Sequence, residues 1–313
     1  MYNLNVDIEK YIRERAAAVN KALPAFVLGL KGAQPRLAEA MVYSLAAGGK
    51  RLRPVLMGAA YEMFGGRARD ILPAACALEL VHTYSLVHDD LPAMDDDDLR
   101  RGRPTSHKVY GEALAILAGD ALLTDAFTVL LSSKYPARVK PAHVLRAAAV
   151  LSARAGARGM VSGQAADLQA EGFLRGRLTP SRRAAGRKLL AYIHLHKTAD
   201  LITAAVEMGA ALAGAPEKDF RAVSAFGREL GLCFQVADDV LDVAGDKKKL
   251  GKSGSDARNN KLTYASLLGV EQARLEGEAL LRRSLARLRG VRGAAAPKAA
   301  LAGIADFVYR REN

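Results

Sequence analysis

The chain has 313 residues, half of them hydrophobic, with no tryptophan, 6% aromatics and 46 Lys plus Arg against 33 Asp plus Glu, a formal charge of +13. That length forms one large domain or two smaller ones with a sizeable core, and the abundance of Ala and Leu favours helix over sheet. Two cysteines, Cys76 and Cys233, are too few for a disulfide-stapled scaffold and read as buried thiols of a reducing compartment.

Prolines punctuate segments whose apolar residues recur at three- and four-residue spacing. A first helix is expected near 6–23; Asp7, Glu9 and Lys10 interrupt any apolar run there, so no signal peptide is expected. Helices near 36–47 and 54–64 flank Gly48-Gly49-Lys50-Arg51-Leu52-Arg53-Pro54. Taken alone, this stretch reads as a Gly-Gly cap with exposed bases. Functionally, it offers Lys50 and Arg53 to an anion, and Arg grips phosphate in bidentate fashion.

The next helix, near 73–91, runs into Asp89-Asp90-Leu91-Pro92-Ala93-Met94-Asp95 and on through Asp96, Asp97 and Asp98. Pro92 disfavours the helical conformation at Leu91, so the helix should end or distort there and Asp95 can fold back towards Asp89. His82 lies seven residues before Asp89, two turns along the same face. A lone His is usually structural, and only that alignment singles it out. Tyr84 and Ser85 lie five and four residues before Asp89; at about 1.5 Å per residue, Tyr84 sits roughly 7.5 Å down the helix. Arg100-Arg101-Gly102 follows the acid run, and charge compensation is its simpler explanation.

Helices near 109–132 and 141–172 come next, then 181–195 and 198–213 with Lys197-Thr198 at their junction. Glu112, Asp120 and Asp125 break one greasy stretch and Asp200 and Glu207 another, so neither is expected to span a bilayer and the protein is expected to be soluble and cytoplasmic. The helix near 218–244 carries Gln235 and Asp238-Asp239-Val240-Leu241-Asp242; Asp238 and Asp242, at i and i+4, project from one face. Lys252 and Lys261 lie in a Gly-rich stretch before helices near 262–289 and 297–311. No segment alternates like a strand, and no repeat or linker divides the chain, so a single all-α domain over 1–313 is expected.

Two acid clusters in so basic a chain are costly, because neighbouring carboxylates repel and raise one another's pKa. Oxygen-only clusters suit hard ions such as Mg²⁺, which takes a few carboxylates, keeps waters and bridges to substrate phosphates. One cluster alone would read as a solvated helix end; two on separate apolar helices point to a metal site for a phosphorylated ligand. Most of the basic excess is explained by a solvated surface. Nucleic-acid binding finds no recognition motif and no interleaved aromatics, so no nucleic-acid partner is expected.

The stretches GGKRLRP, HTYSLVHDDLPAMDDDDLRRGRPTSH, GQAADL, KTADLI, FQVADDVLD and LGK…NNKLTY occur in one order along nearly the whole chain. In that order and spacing they resemble the trans (all-E) isoprenyl diphosphate synthases. Ala199 stands where that family often has Gly, and the loop from Lys252 to Lys261 is about a residue shorter than in some bacterial members; neither departure removes a catalytic group. The resemblance implies an all-α bundle around a deep prenyl-substrate cavity, a homodimer, and three Mg²⁺ ions. It implies Asp89, Asp95 and Asp238 as metal ligands, with Asp90, Asp239 and Asp242 as supporting or water-mediated partners. Arg100, Lys197 and Lys252 would hold an allylic diphosphate; Lys50, Arg53, His82 and Arg101 would hold isopentenyl diphosphate. Gln164 and Asp167 match the element beside the metals, Thr198 and Gln235 would line the site of the allylic cation, and Lys261 would add a further cation.

The implied reaction ionises the allylic diphosphate, joins it to isopentenyl diphosphate and loses a proton to the departing diphosphate. No Ser–His–Asp set and no nucleophilic Cys competes with it. Tyr84, large and on the wall along which the prenyl tail would grow, makes a floor that Ser85 is too small to make. This points to the fifteen-carbon farnesyl product, with the twenty-carbon geranylgeranyl product as alternative, unless Tyr84 is a core ring facing elsewhere. A terpene cyclase or head-to-head synthase would not need the second cation set of Lys50, Arg53 and Arg101. A non-catalytic subunit would be expected to lose aspartates that here are intact.

Overall fold

A computed structural model describes residues 7–29, 31–175, 177–244 and 262–311. Helix α1 (Ile8–Leu28) starts where the Asp7 carboxylate accepts the Lys10 backbone N–H, and it buries Ile12, Ala16, Val19, Leu23 and Val27 on one face. It runs past the expected end through Pro24. The proline removes one backbone donor, while buried Leu23 and Val27 hold the last turn against the core. Helices α2 (Pro35–Leu45) and α3 (Leu52–Met63) follow, and a short 3₁₀ turn (Ala68–Ile71) leads into α4 (Leu72–Asp89).

The acid run ends in a two-stranded hairpin that the sequence reading missed, β1 (Leu99–Arg100) against β2 (Arg103–Pro104), with Arg100 opposite Arg103. Its two central residues, Arg101 (φ 53°) and Gly102 (φ 74°), both have positive φ, as a type I′ turn requires. Helices α5 (Ser106–Tyr110) and α6 (Glu112–Ser132) replace one expected helix because Gly111 has φ 84°. The expected 141–172 helix is likewise two, α7 (Pro141–Ala155) and α8 (Met160–Gln169), parted at Gly156–Gly159. A Cβ at Gly159 would lie 2.0 Å from the Arg154 carbonyl oxygen, so only glycine passes there.

The expected break near Lys197 is instead a continuous rod: α9 (Pro180–Ile193), a π-helical turn (His194–Ala199) and α10 (Asp200–Leu212). Helix α11 (Glu217–Ala244) precedes α12 (Tyr264–Leu268), α13 (Val270–Arg289) and α14 (Ala295–Arg310). Gly269, at φ 86°, separates α12 from α13. Helix α10 is buried at all 13 positions and packs against α3, α7 and α11, while α4 lies against α6 and α11 against α13. The first and last helices also touch. Both cysteines are free and buried, and burial pushes each thiol up to about 12.

Among the described residues, two helical stretches are apolar enough by length and composition to cross a membrane, Ala68–Asp89 and Glu112–Ser132, contrary to the expectation that none would be. The scattered acids of α6 are too few to break it on that measure. The first stretch is mostly buried in the core, where an apolar helix needs no bilayer. The second buries one face on α4 and exposes Ile116, Leu117 and Leu131 on the other.

Candidate active site

Helix α4, helix α8 and the π-turn enclose a cavity of about 360 Å³. Its lining includes Arg53, His82, Tyr84, Ser85, Asp89, Gln164, Lys197 and Thr198, so residues from four separate sequence stretches meet in one chamber. Apolar Leu86, Met94, Met160, Val161, Ala165 and Leu168, with His88, complete the wall. The α8 contribution was missed beyond Gln164 and Asp167, although Met160, Gln164 and Leu168 recur at i, i+4 and i+8 and so mark one helix face.

At the chamber's acid end, the chain doubles back after α4. The Asp95 backbone N–H donates to the Asp89 carbonyl at 2.9 Å, which is the fold-back that Pro92 implies. Burial, reinforced by neighbouring Asp95 and opposed by Lys197, pushes the Asp89 carboxyl up to about 6. Asp90 turns the other way: it is buried and accepts from Arg100 Nε at 2.6 Å and Nη2 at 2.5 Å. Arg100 also stands 3.6 Å from Asp97.

On α11, Asp238 and Asp242 lie one turn apart and both are partly exposed. Asp238 accepts from Arg311 Nη2 at 3.1 Å. Asp239 is buried; its two oxygens accept the Gln235 amide at 3.0 Å and the Tyr264 backbone N–H at 2.7 Å. Burial dominates there and pushes its carboxyl up to about 8. The Thr198 hydroxyl donates to Gln235 Oε1 at 2.7 Å, and Lys197 Nζ donates to Asp167 Oδ2 at 2.5 Å.

No three Asp, Glu, His or Cys side chains among the described residues converge closely enough to hold a metal alone. The donor chemistry nonetheless fits Mg²⁺ completed by substrate oxygens: hard carboxylates in two groups, with Asp89 raised in pKa by burial beside another acid. Both polar atoms of the Gln164 amide are buried without a hydrogen-bond partner among the described residues, in the chamber that Asp89 also lines.

The chamber's other end is cationic. Arg53 Nη1 lies 3.2 Å from His82 Nε2, and Arg53 Nε is buried without a hydrogen-bond partner among the described residues. Arginine only donates, so Nε2 accepts and the ring proton belongs on Nδ1. Burial, then Arg53 and Arg101, hold His82 well below the usual histidine range, so it is neutral. Burial also brings Arg53 down to about 10 and lowers Arg101. Lys50 does not line this chamber: it lines a separate cavity of about 1030 Å³ with Phe307 and Arg311, its Nζ 5.3 Å from the Phe307 ring, and burial lowers it too. Arg101 Nη1 donates to the Gly48 carbonyl, and its guanidinium packs where a Cβ on Gly49 would be, 2.7 Å away. With Gly48 and Gly49 at φ 80° and 123°, the glycine pair serves a close approach, not only a helix cap.

Arg51, which sequence reasoning passed over, anchors this loop. It sits at φ 47°, is buried, and donates to Glu79 at 2.6 Å, to Asn20 at 2.8 Å and to the Leu45 carbonyl at 2.5 Å. Its side-chain partners, Glu79 and Asn20, are distant in sequence, so no local signal announced them. Lys252 and Lys261 lie outside the described residues.

The raised carboxyls set a pH dependence. Asp89 and Asp239 bind protons more tightly folded than unfolded, so stability is lost as pH rises from the ordinary carboxylate range, about 4, through their folded values. The metal-free protein should therefore melt at a higher temperature near pH 6 than near pH 8.5, both about, by that linkage. In Asp239→Asn the slope of melting temperature against pH should flatten; an unchanged slope would assign the dependence elsewhere.

The sequence matches the family described as Polyprenyl synthetase over residues 34–295. It is 45% identical over 309 residues to the farnesyl diphosphate synthase of Geobacillus stearothermophilus, covering 98% of this chain and 99% of that one. It is 44% identical over 309 residues to a chloroplastic large subunit of heterodimeric geranylgeranyl pyrophosphate synthase from Arabidopsis thaliana, covering 98% and 80%. A crystal structure of a Helicobacter pylori geranyltransferase complexed with magnesium and isoprenyl diphosphate superposes with a TM-score of 0.77 at 31% identity, covering 96% of this chain and 97% of that one.

Proposed function

This chain belongs to the polyprenyl synthetase family, and from that premise we propose that it is a trans-prenyltransferase that condenses isopentenyl diphosphate with dimethylallyl and geranyl diphosphates, mainly to farnesyl diphosphate. The observation that carries this reading is the polarity of the chamber: Asp89 and Lys197 at one end, Arg53 and neutral His82 at the other, on a partly apolar wall. A cyclase acting on one diphosphate has no use for the second cation set.

Asp89, Asp95 and Asp238 would hold Mg²⁺, three ions in this reading, with Asp242 as a water-mediated partner. When bound, these ions would neutralise the leaving diphosphate and so weaken the carbon–oxygen bond. Asp90 and Asp239 support that arrangement indirectly, Asp90 by holding Arg100 and Asp239 by holding Gln235.

Arg100 and Lys197, with Lys252 and Lys261, would bind the allylic diphosphate and stabilise charge that develops on it, as preorganised donors do. Lys50, Arg53, Arg101 and the Nδ1–H of His82 would bind isopentenyl diphosphate and direct its alkene at the allylic carbon. As the carbon–oxygen bond breaks and the carbon–carbon bond forms, the Thr198 oxygen faces the cation by its lone pairs, because its proton is committed to Gln235. The apolar wall excludes water from that cation. A proton then leaves the new cation for the departing diphosphate. With Mg²⁺ and isopentenyl diphosphate, the purified protein should extend dimethylallyl and geranyl diphosphates to fifteen carbons; no product from either starter would overturn the reading.

Tyr84 is proposed as the floor that stops growth. It is buried, lines the chamber, and stands edge-on to His88, ring centroids 5.8 Å apart. His88 is itself wedged by Gly119 of α6, where a Cβ would come within 2.1 Å of the ring. Tyr84→Ala should therefore shift product towards twenty carbons or more, read by chromatography of the hydrolysed prenols. An unchanged distribution would move the floor to other residues.

The reading includes a homodimer, for which the apolar outer face of α6 (Ile116, Leu117, Leu131) is the proposed contact. It also includes a cytoplasmic location, supported by the two buried free thiols.

A further inference from the structure

Helix α10 is wholly buried yet carries two acids, Asp200 and Glu207, neither of which the proposed chemistry uses. Buried carboxylates need a cation, and α7 supplies it. The Arg154 fork grips Glu207 in bidentate fashion, Nε to Oε2 at 3.0 Å and Nη2 to Oε1 at 2.7 Å, which leaves Nη1 to reach Asp200 Oδ1 at 2.6 Å. The second oxygen of Asp200 meets His196 Nδ1 at 2.7 Å. His196 is inside the π-helical turn, next to Lys197 and Thr198.

A π-turn carries one residue more than the α-helix would, and relaxing it would shift the register of the turn. A shift of one residue rotates each side chain by about 100° around the axis, enough to turn Lys197 and Thr198 out of the chamber. Backbone packing braces the turn on two sides. A Cβ at Gly163 of α8 would lie 2.0 Å from the Lys197 nitrogen, and one at Gly231 of α11 would lie 2.4 Å from the Ala199 Cα. The chain from Glu207 through Arg154 and Asp200 to His196 is the side-chain brace.

We propose that Arg154, Asp200 and His196 are positioning residues that lock the register of the 194–199 turn and thereby aim Lys197 and Thr198 at the allylic substrate. The proposal rests on the prenyltransferase reading. Asp200 acts here through its neighbours and touches no substrate.

Asp200→Asn is the sharpest test. Arg154 keeps its bidentate partner Glu207, so the variant retains a balanced buried pair and should fold. Steady-state kinetics should show the KM for the allylic diphosphate raised about tenfold, the size expected for one misaimed charge-assisted contact, with the KM for isopentenyl diphosphate unchanged. Combined with Lys197→Ala, Asp200→Asn should add little to the allylic KM, because the contact it aims is already gone. Hydrogen exchange at the 194–199 amides should quicken. Glu207→Gln serves as the comparison: it borders the same arginine but not His196, and should alter stability more than the allylic KM. If Asp200→Asn lowers the melting temperature while both KM values and the exchange of the turn stay at wild-type level, or if both KM values rise together, the positioning role is wrong. If the wild-type protein itself makes no prenyl product, the prenyltransferase reading fails first and the exchange measurement alone decides the brace.

Discussion

Asp89→Ala should lose about a thousandfold or more in turnover, at the upper end of what removing one element of preorganised electrostatic stabilisation costs. The reason is position: Asp89 closes α4, lines the chamber, and lies beside Asp95 because the chain folds back between them. Its carboxyl, raised to about 6 by burial, is uncomfortable without a cation, so the substitution should leave the metal-free protein folded and at least as stable at neutral pH. Circular dichroism would show the helices retained and a melting curve would show no loss. Near-normal turnover in the variant would sink the proposed metal role of Asp89. Chelation of wild-type protein should abolish activity, and Mg²⁺ should restore it.

The second large effect separates the chamber's two ends. Arg53→Ala should raise the KM for isopentenyl diphosphate about ten- to a hundredfold, because a buried charge-assisted contact is worth roughly 1.5–3 kcal/mol. Lys197→Ala should do the same for the allylic diphosphate. The two effects should not cross. Arg53 is half-buried beside His82 and repelled by Arg101, whereas Lys197 is held by Asp167 and lies near Asp89. If both variants raised the same KM equally, the assignment of the two ends to two substrates would be wrong.

The helical architecture and the two acid clusters were legible because their signals are local. Apolar spacing marks helices, Pro92 marks the end of α4, and i, i+4 spacing puts Asp238 and Asp242 on one face. What escaped depended on partners far away in sequence. Arg51 and Glu79 are 28 residues apart and Arg154 and Glu207 are 53 apart, so neither buried pair leaves a mark in its own neighbourhood. The π-turn escaped for another reason: Ala199 and Asp200 suit a regular helix locally, and the extra residue is held by packing from α8 and α11. Gly111, Gly159 and Gly269 were visible, but their power to split a helix lies in backbone conformation or close contact that composition does not reveal.

The hairpin after the acid run has a consequence for how such an enzyme can change. Arg100 and Arg101 are neighbours in the chain, yet one is tied to Asp90 and the other to the Gly48 carbonyl. A single peptide unit thus serves as a party wall between the rooms proposed for donor and acceptor. Its slope is set by positive φ at Arg101 and Gly102, so any drift in that turn tilts both rooms together. Selection for a new starter or a new acceptor cannot remodel this wall for one tenant alone, and variation should gather instead on the stretch of wall around Tyr84 and His88, proposed to meet only the hydrocarbon tail.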